Sequence, residues 1–218
     1  MKKSTYNNFF QTIIAFGLSI RDERRHPIQV CRLSRMLFDE LQSLHHMGNT
    51  ERIWLQTAAL LHDIGKSICG KDHNERSRDI IIRSSELPLD TSERIIVGLI
   101  AGYHRGSLPS RTHKYYETID SESRYYVRKL AALLRLADGL DENHQSPVTD
   151  LSCHITEGNI IVSPETRGAF DAQKALAKAD LLEEVLSRKV IIIEQLESFF
   201  PSTGIELRDH LDYTDLSY

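Results

Sequence analysis

The sequence predicts a mainly α-helical protein: a helical bundle over about residues 1–145, then a small α+β unit over about 146–218. Three observations lead there. Apolar residues recur at helical spacing through most of the first two thirds. After Pro147 the pattern changes to alternation and β-branched runs. The 218 residues, 40 % hydrophobic and 27 % charged, form an ordinary globular composition, long enough for one large domain or a domain plus a small one.

Each element follows from local signals. Residues 27–44 place Ile28, Leu33, Leu37, Leu41 and Leu44 on one face, and Pro27 suits a first turn, where a missing N–H costs nothing. TERIWLQTAALLH (50–62) repeats the pattern, with Thr50 as N-cap and Gly65 as the stop. A third helix is expected at about 74–85. TSERIIVGLIAGYH opens a fourth near Thr91, with acidic Glu93 in its first turn. SESRYYVRKLAALLRLAD makes a long helix over about 121–138 that stops at Gly139. Beyond Pro147, VTDLSCHI (148–155) alternates like a half-buried strand, and Glu157-Gly158-Asn159 turns it into Ile160-Ile161-Val162. Residues 171–188 return to helix behind an Asp171 cap, and VIIIE (190–194) reads as a buried strand. There is no internal repeat and no low-complexity segment.

Charge narrows the function classes. The 27 Lys+Arg against 31 Asp+Glu give a formal −4, which argues against bulk nucleic-acid binding. That total is a cancellation. Residues 1–135 hold 21 bases and 15 acids, a net +6; residues 136–218 hold 6 and 16, a net −10. A local positive site for a small polyanion is therefore expected in the helical part, with the acidic unit lying away from it. The longest uncharged run, 4–20, contains Tyr6, Asn7, Asn8, Gln11 and Thr12, too polar for a membrane span and without a signal-peptide cleavage site. Cys31, Cys69 and Cys153 are widely spaced and odd in number, as expected for a reducing cytoplasm.

The chemistry concentrates at helix ends. His62-Asp63 closes an apolar helix in AALLHDIGK. Neighbouring residues on a helix lie about 100° apart, so both side chains can approach one point only near an end. A metal ion is the usual reason to put an imidazole and a carboxylate there, and N plus O donors suit Mn, Fe, Co, Ni, Zn or Mg. The plainer alternative is that His62 caps a carbonyl and Asp63 a turn. His26 in RRHPIQV opens an amphipathic helix, and Asp138 in LLRLADGLD ends another. Each alone reads as a cap or a surface group. Together they match the way a bundle builds a metal site from facing helices.

The order His…His-Asp…Asp, with HDIGK and LADGLD, resembles the HD-domain metal-dependent phosphohydrolases. AALLHDIGK, SRDIIIRSSELP, ERIIVGLIAGYHRGSLP and KLAALLRLADGLD further resemble the C-terminal half of exopolyphosphatase/guanosine pentaphosphate phosphatase (Ppx/GppA) proteins, over about residues 20–200. The resemblance implies an HD-type bundle, a divalent metal ion held by His26, His62, Asp63 and Asp138, and attention to Lys66, His104 and Arg105. Two departures stand out. No DxG-type phosphate loop is present, so the actin-like half that carries exopolyphosphatase chemistry in that family is not expected here. Many relatives also carry a His before the Ser that follows HDIGK; here Arg76 precedes Ser77, with His73 close by as a substitute.

With such a site, Lys66 is expected to reach a phosphate oxygen, and His104 and Arg105 to hold the phosphate or protonate the leaving oxygen. Arg76, His73 and Arg111 are further substrate candidates. The alternatives are a solvated Lys66 and Arg105, and a His104 that caps its helix. Arg111, His113, Lys114, Arg124, Arg128, Lys129 and Arg135, interleaved with Tyr103, Tyr115, Tyr116, Tyr125 and Tyr126, can track a phosphate chain, or else form a solvated face over packed tyrosines. His45 and His46 carry no expected role. Three functions follow as expectations. The first is a metal-dependent phosphohydrolase acting on a nucleotide, polyphosphate or related phosphorylated small molecule. The second is a non-catalytic module that binds polyphosphate or a guanosine polyphosphate. The third is an assembly domain, the small unit serving a homodimer.

Overall fold

A computed structural model describes residues 3–68 and 70–196 of the chain. Cys69 and the part of the expected small unit beyond residue 196 lie outside the described residues. The described chain is mainly helical with one small sheet. Its helices are α1 (Lys3–Ile20), α2 (Arg25–Glu40), α3 (Gln42–His45), α4 (Asn49–Leu61), α5 (His73–Arg83), α6 (Thr91–Gly102) and α7 (Ser121–Leu140). Then come β1 (Val148–Ile155), β2 (Asn159–Thr166), α8 (Ala172–Leu176), α9 (Asp180–Leu186), β3 (Lys189–Ile192) and β4 (Gln195–Leu196). No described helix is long and apolar enough to cross a membrane.

Carboxylates set the helix starts. Asp90 Oδ1 accepts from the Glu93 N–H at 2.9 Å while the Asp90 N–H donates to Glu93 Oε2 at 3.0 Å, a reciprocal capping box for α6. Asp120 does the same half of this work for α7, accepting from Ser123 N at 2.8 Å. The start of α4 lies one residue before the expected Thr50 cap. The Gly48 N–H donates to Glu51 Oε2 at 2.7 Å, so the acid three positions on selects the N-cap.

Two expected helices break. Residues 27–44 divide at Leu41 into α2 and α3. Behind the break lies His45, whose Nε2 donates to Phe38 O (2.8 Å) while its Nδ1 accepts from the Met47 N–H (3.0 Å). His45 thus has a structural role the sequence did not signal. Burial lowers its pKa below the ordinary histidine value. The unfolded state therefore binds the proton more readily, and stability falls as pH drops through the ordinary value of about 6.5. Replacing His45 with Gln should cost about 1–3 kcal/mol at pH 7, measured by urea unfolding. It should also flatten the loss between pH 7 and pH 5. An unchanged acid slope in the variant would refute this.

Residues 171–188 divide into α8 and α9. At the second break Arg135 of α7 grips Asp180, Nε–Oδ1 3.1 Å and Nη2–Oδ1 3.0 Å, and donates from Nη1 to Tyr103 O at 3.2 Å. The long helix does not stop at Gly139 but runs through it to Leu140. Glycine is needed there for approach: a Cβ would lie 2.9 Å from Ala175 Cα, because α8 lies directly on α7.

The sheet joins β1 and β2 as an antiparallel hairpin, Val148↔Thr166 to Ile155↔Ile160. On the other edge of β2, β3 pairs in parallel with Asn159–Val162 and β4 with Glu165–Thr166. The strand expected at 190–194 is β3, and β4 follows it as a separate two-residue strand on the same edge of β2, with α8 and α9 as the crossover that parallel pairing requires. One apolar core joins both parts: Leu33, Leu37, Leu61, Leu99 and Leu133 of the bundle with Ile160, Val162 and Leu181 beyond it. The basic side chains of α7 are anchored to the protein. Arg124 donates to Tyr116 O and Glu117 O, and Arg128 pairs with Glu184.

Candidate metal centre

Five helix ends meet at one point. His26 opens α2, His62 caps the C-terminus of α4 with Asp63 next, His73 opens α5, His104 follows α6, and Asp138 lies in the last turn of α7. All six are buried.

The histidines are aimed by their own backbones. The Nδ1 of His62 is 2.7 Å from Ala59 O, that of His73 is 2.9 Å from Gly70 O, and that of His104 is 2.7 Å from Ala101 O. A carbonyl can only accept, so each Nδ1 donates and each Nε2 is turned inward. The bond that caps a helix-end carbonyl thus also orients the ring, as a second-partner bond would orient a metal-binding histidine. The plainer reading of His62, a carbonyl cap, is met by it. His26 is aimed by an acid: its Nδ1 is 2.8 Å from Asp141 Oδ2.

The inward Nε2 atoms converge on two carboxylates. His26 Nε2 lies 3.1 Å from Asp138 Oδ1 and 3.2 Å from His62 Nε2; His62 Nε2 lies 3.5 Å from the same Oδ1. Asp63 Oδ1 lies 3.2 Å from His73 Nε2, 3.7 Å from His104 Nε2 and 3.8 Å from His62 Nε2. Three triplets bring one ligand atom each within 4.8 Å of one another: His26, His62, Asp138; His62, Asp63, His104; and His26, Asp63, His144. Two nitrogen atoms 3.2 Å apart, both turned inward with carboxylate oxygen beside them, form the arrangement that a cation satisfies. The donor set therefore fits a divalent ion of the N/O-binding kind.

The electrostatics agree. Burial would raise the Asp63 and Asp138 carboxyls, but the surrounding histidines, with Lys66 at Asp63, hold both far below the usual carboxylate range. Burial would likewise depress His26, yet its bonds to Asp138 and Asp141 push it up to about 9, so an ion bound there would have to displace the Nε2 proton. Burial and the charge of His62 push His104 down to about 3, so its ring stays neutral.

The remaining residues divide cleanly. Lys66 Nζ is 3.3 Å from Asp63 Oδ2 and 3.3 Å from His144 Nε2, with its side chain 38 % exposed. Arg76 is exposed but borders the HDIGK turn, since a Cβ on Gly65 would lie 2.8 Å from its Cβ. Arg105 and Arg111 are exposed, and no hydrogen bond or ion pair joins Arg76, Arg105 or Arg111 to the cluster among the described residues.

Four contributors escaped the sequence reading. Asp141 follows Asp138 by three residues, so helical spacing alone could have found it. His144, with φ 56°, stacks its ring 3.6 Å from that of His26. Arg21 donates from Nη1 to Asp63 O (3.2 Å) and Oδ2 (3.1 Å). Lys178 Nζ lies 2.5 Å from Asp138 Oδ2. This last contact corrects the expected separation of the two parts, because the α8–α9 link reaches the centre.

Residues 12–185 match the family described as Ppx/GppA phosphatase, domain III. The chain belongs to this family. No curated protein matches it. The family match spans the six helix-end residues, His26, His62, Asp63, His73, His104 and Asp138, and also Lys178. It relates the chain to the exopolyphosphatase/guanosine pentaphosphate phosphatases and reaches across the bundle into α9.

Proposed function

We propose that this Ppx/GppA domain III protein is an HD-type metal-dependent phosphohydrolase acting on a nucleotide, polyphosphate or related phosphorylated small molecule. The observation that carries the reading is the convergence of His26 and His62 Nε2 on Asp138 Oδ1, with Asp63 alongside. Such a set, built from three separate helix ends and fully buried, is explained if an ion sits among its donors.

His26, His62, Asp63 and Asp138 would hold the ion, and His73 and His104 add two nitrogen donors on the Asp63 side. A divalent ion supplies charge for a phosphoryl oxygen and lowers the pKa of water. The chain's own side chains do the rest. Lys66, half in solvent between Asp63 and His144, offers its ammonium to a phosphate oxygen. Arg21 fixes Asp63 through two bonds, and Asp141 fixes His26. Arg76 and Arg105, next to the HDIGK turn and to His104, are placed to meet the outer part of a polyanionic substrate, with Arg111 further along the same loop.

The test is a panel of phosphate esters and inorganic polyphosphate with Mn, Co or Mg added to purified protein. Turnover is expected with at least one pair. His62→Ala should reduce it by more than about 100-fold, beyond what losing a supporting partner costs. No turnover across the panel, or a His62→Ala protein as active as the parent, would refute the proposal.

A further inference from the structure

We infer that Lys178 is the positioning residue that holds Asp138 as a one-oxygen ligand of the candidate centre. The inference rests on the metal-site reading above. It concerns a residue outside the helical bundle, 40 positions along the chain from Asp138.

The two oxygens of Asp138 have separate surroundings. Oδ1 faces inward, 3.1 Å from His26 Nε2 and 3.5 Å from His62 Nε2. Oδ2 faces the α8–α9 link, 2.5 Å from Lys178 Nζ. The ammonium also bonds Glu142, four positions on in the turn that follows α7, so it lies between two carboxylates.

Lys178 has little freedom to leave. The α8 backbone lies on Gly139, where a Cβ would come 2.9 Å from Ala175 Cα and 3.3 Å from Lys178 Cδ. Ala179, the next residue, is 2 % exposed. The link is thus nailed to α7 on both sides of the lysine, and its side chain reaches Asp138 along the helix surface. The exposed acids of the small unit are not what reaches the centre; one base is.

An ammonium on Oδ2 has two consequences for Oδ1. It stops the carboxylate from rotating to offer both oxygens, and it shares the negative charge that a cation would otherwise draw on alone. A supporting partner of this kind orients a ligand and tunes the ion.

Co²⁺ binding separates this role from that of a mere strut between the small unit and the bundle. The full chain is titrated with Co²⁺ and its visible d–d absorption is recorded. Lys178→Met should weaken Co²⁺ binding about 10–100-fold. It should also lower the absorption per bound ion, because a freed second oxygen raises the coordination number. Lys178→Arg should restore both to within about threefold. If Lys178→Met does not fold, Lys178→Gln, one atom shorter and uncharged, should give the same spectral change. A variant that loses thermal stability in chelator but keeps the parental affinity and spectrum overturns the inference and leaves Lys178 a strut. Failure of the underlying reading looks different: the parent and His62→Ala would then both fail to bind Co²⁺.

Discussion

Asp63→Asn should remove divalent-metal binding and, in chelator, destabilise the protein by about 3–5 kcal/mol. The side chain is 4 % exposed and is the meeting point of Arg21, Lys66, His73 and His104. Asparagine keeps the shape and removes the charge. Most of the cost comes from Arg21, which is largely buried against Asp63 and would be left facing an amide. Lys66 is more than a third exposed and contributes little, because solvent screens it. In a protein of this size the loss corresponds to a fall in Tm of about 2–4 °C per kcal/mol. Calorimetric titration with Mn²⁺ and thermal unfolding in chelator measure the two parts separately. Parental metal affinity in Asp63→Asn would remove the HD pair from the centre; parental Tm in chelator would mean that Arg21 does not depend on it.

Gly65→Ala should also destabilise the protein, although it adds only one methyl group. Its Cβ would lie 2.6 Å from His73 O, 2.7 Å from Ser77 N and 2.8 Å from Arg76 Cβ. Two of the three are backbone atoms, so α5 must retreat as a whole. The Gly65 N–H also donates to Ser77 Oγ at 2.9 Å, a bond that the retreat would stretch. Overpacking of this kind costs about 1–3 kcal/mol, and here it also draws His73 away from Asp63. Gly158→Ala is the control, since nothing lies within 4 Å of a Cβ there. It should change stability by less than about 0.5 kcal/mol. Urea unfolding of the two variants decides the matter. Equal midpoints would show that the turn and α5 are not in contact in solution.

Gly65 also shows how much of the fold was legible. The sequence reading took it as a helix stop, and α4 does end just before it. Its larger role, as the surface on which α5 rests, depends on a partner eight or more residues away and leaves no local trace. Gly139 is the opposite case. Read as a stop, it lies inside α7, because the same lack of a Cβ that weakens a helix also lets α8 come close. The splits at Leu41 and at 177–179 escaped for a related reason. Apolar periodicity continues across both, and the breaks belong to His45 turning back to Phe38, to Arg135 of α7 gripping Asp180 and to Lys178 reaching Asp138.

The candidate site follows the same division. His62-Asp63 and Asp138 were legible because helix ends announce themselves in the chain: periodicity stops, and a polar pair stands where a carbonyl needs a partner. The sequence by itself thus determined which faces are buried, where helices end and which donors stand at those ends, since these are properties of a few neighbouring residues. The tertiary structure alone decided which ends meet. His26 reaches His62 across 36 residues and Asp138 across 112, and Lys178 comes from beyond the hairpin. A 3.6-residue period states which side of a helix avoids water. It does not state which other helix will cover that side, and the centre exists only where that choice brings the Nε2 atoms together.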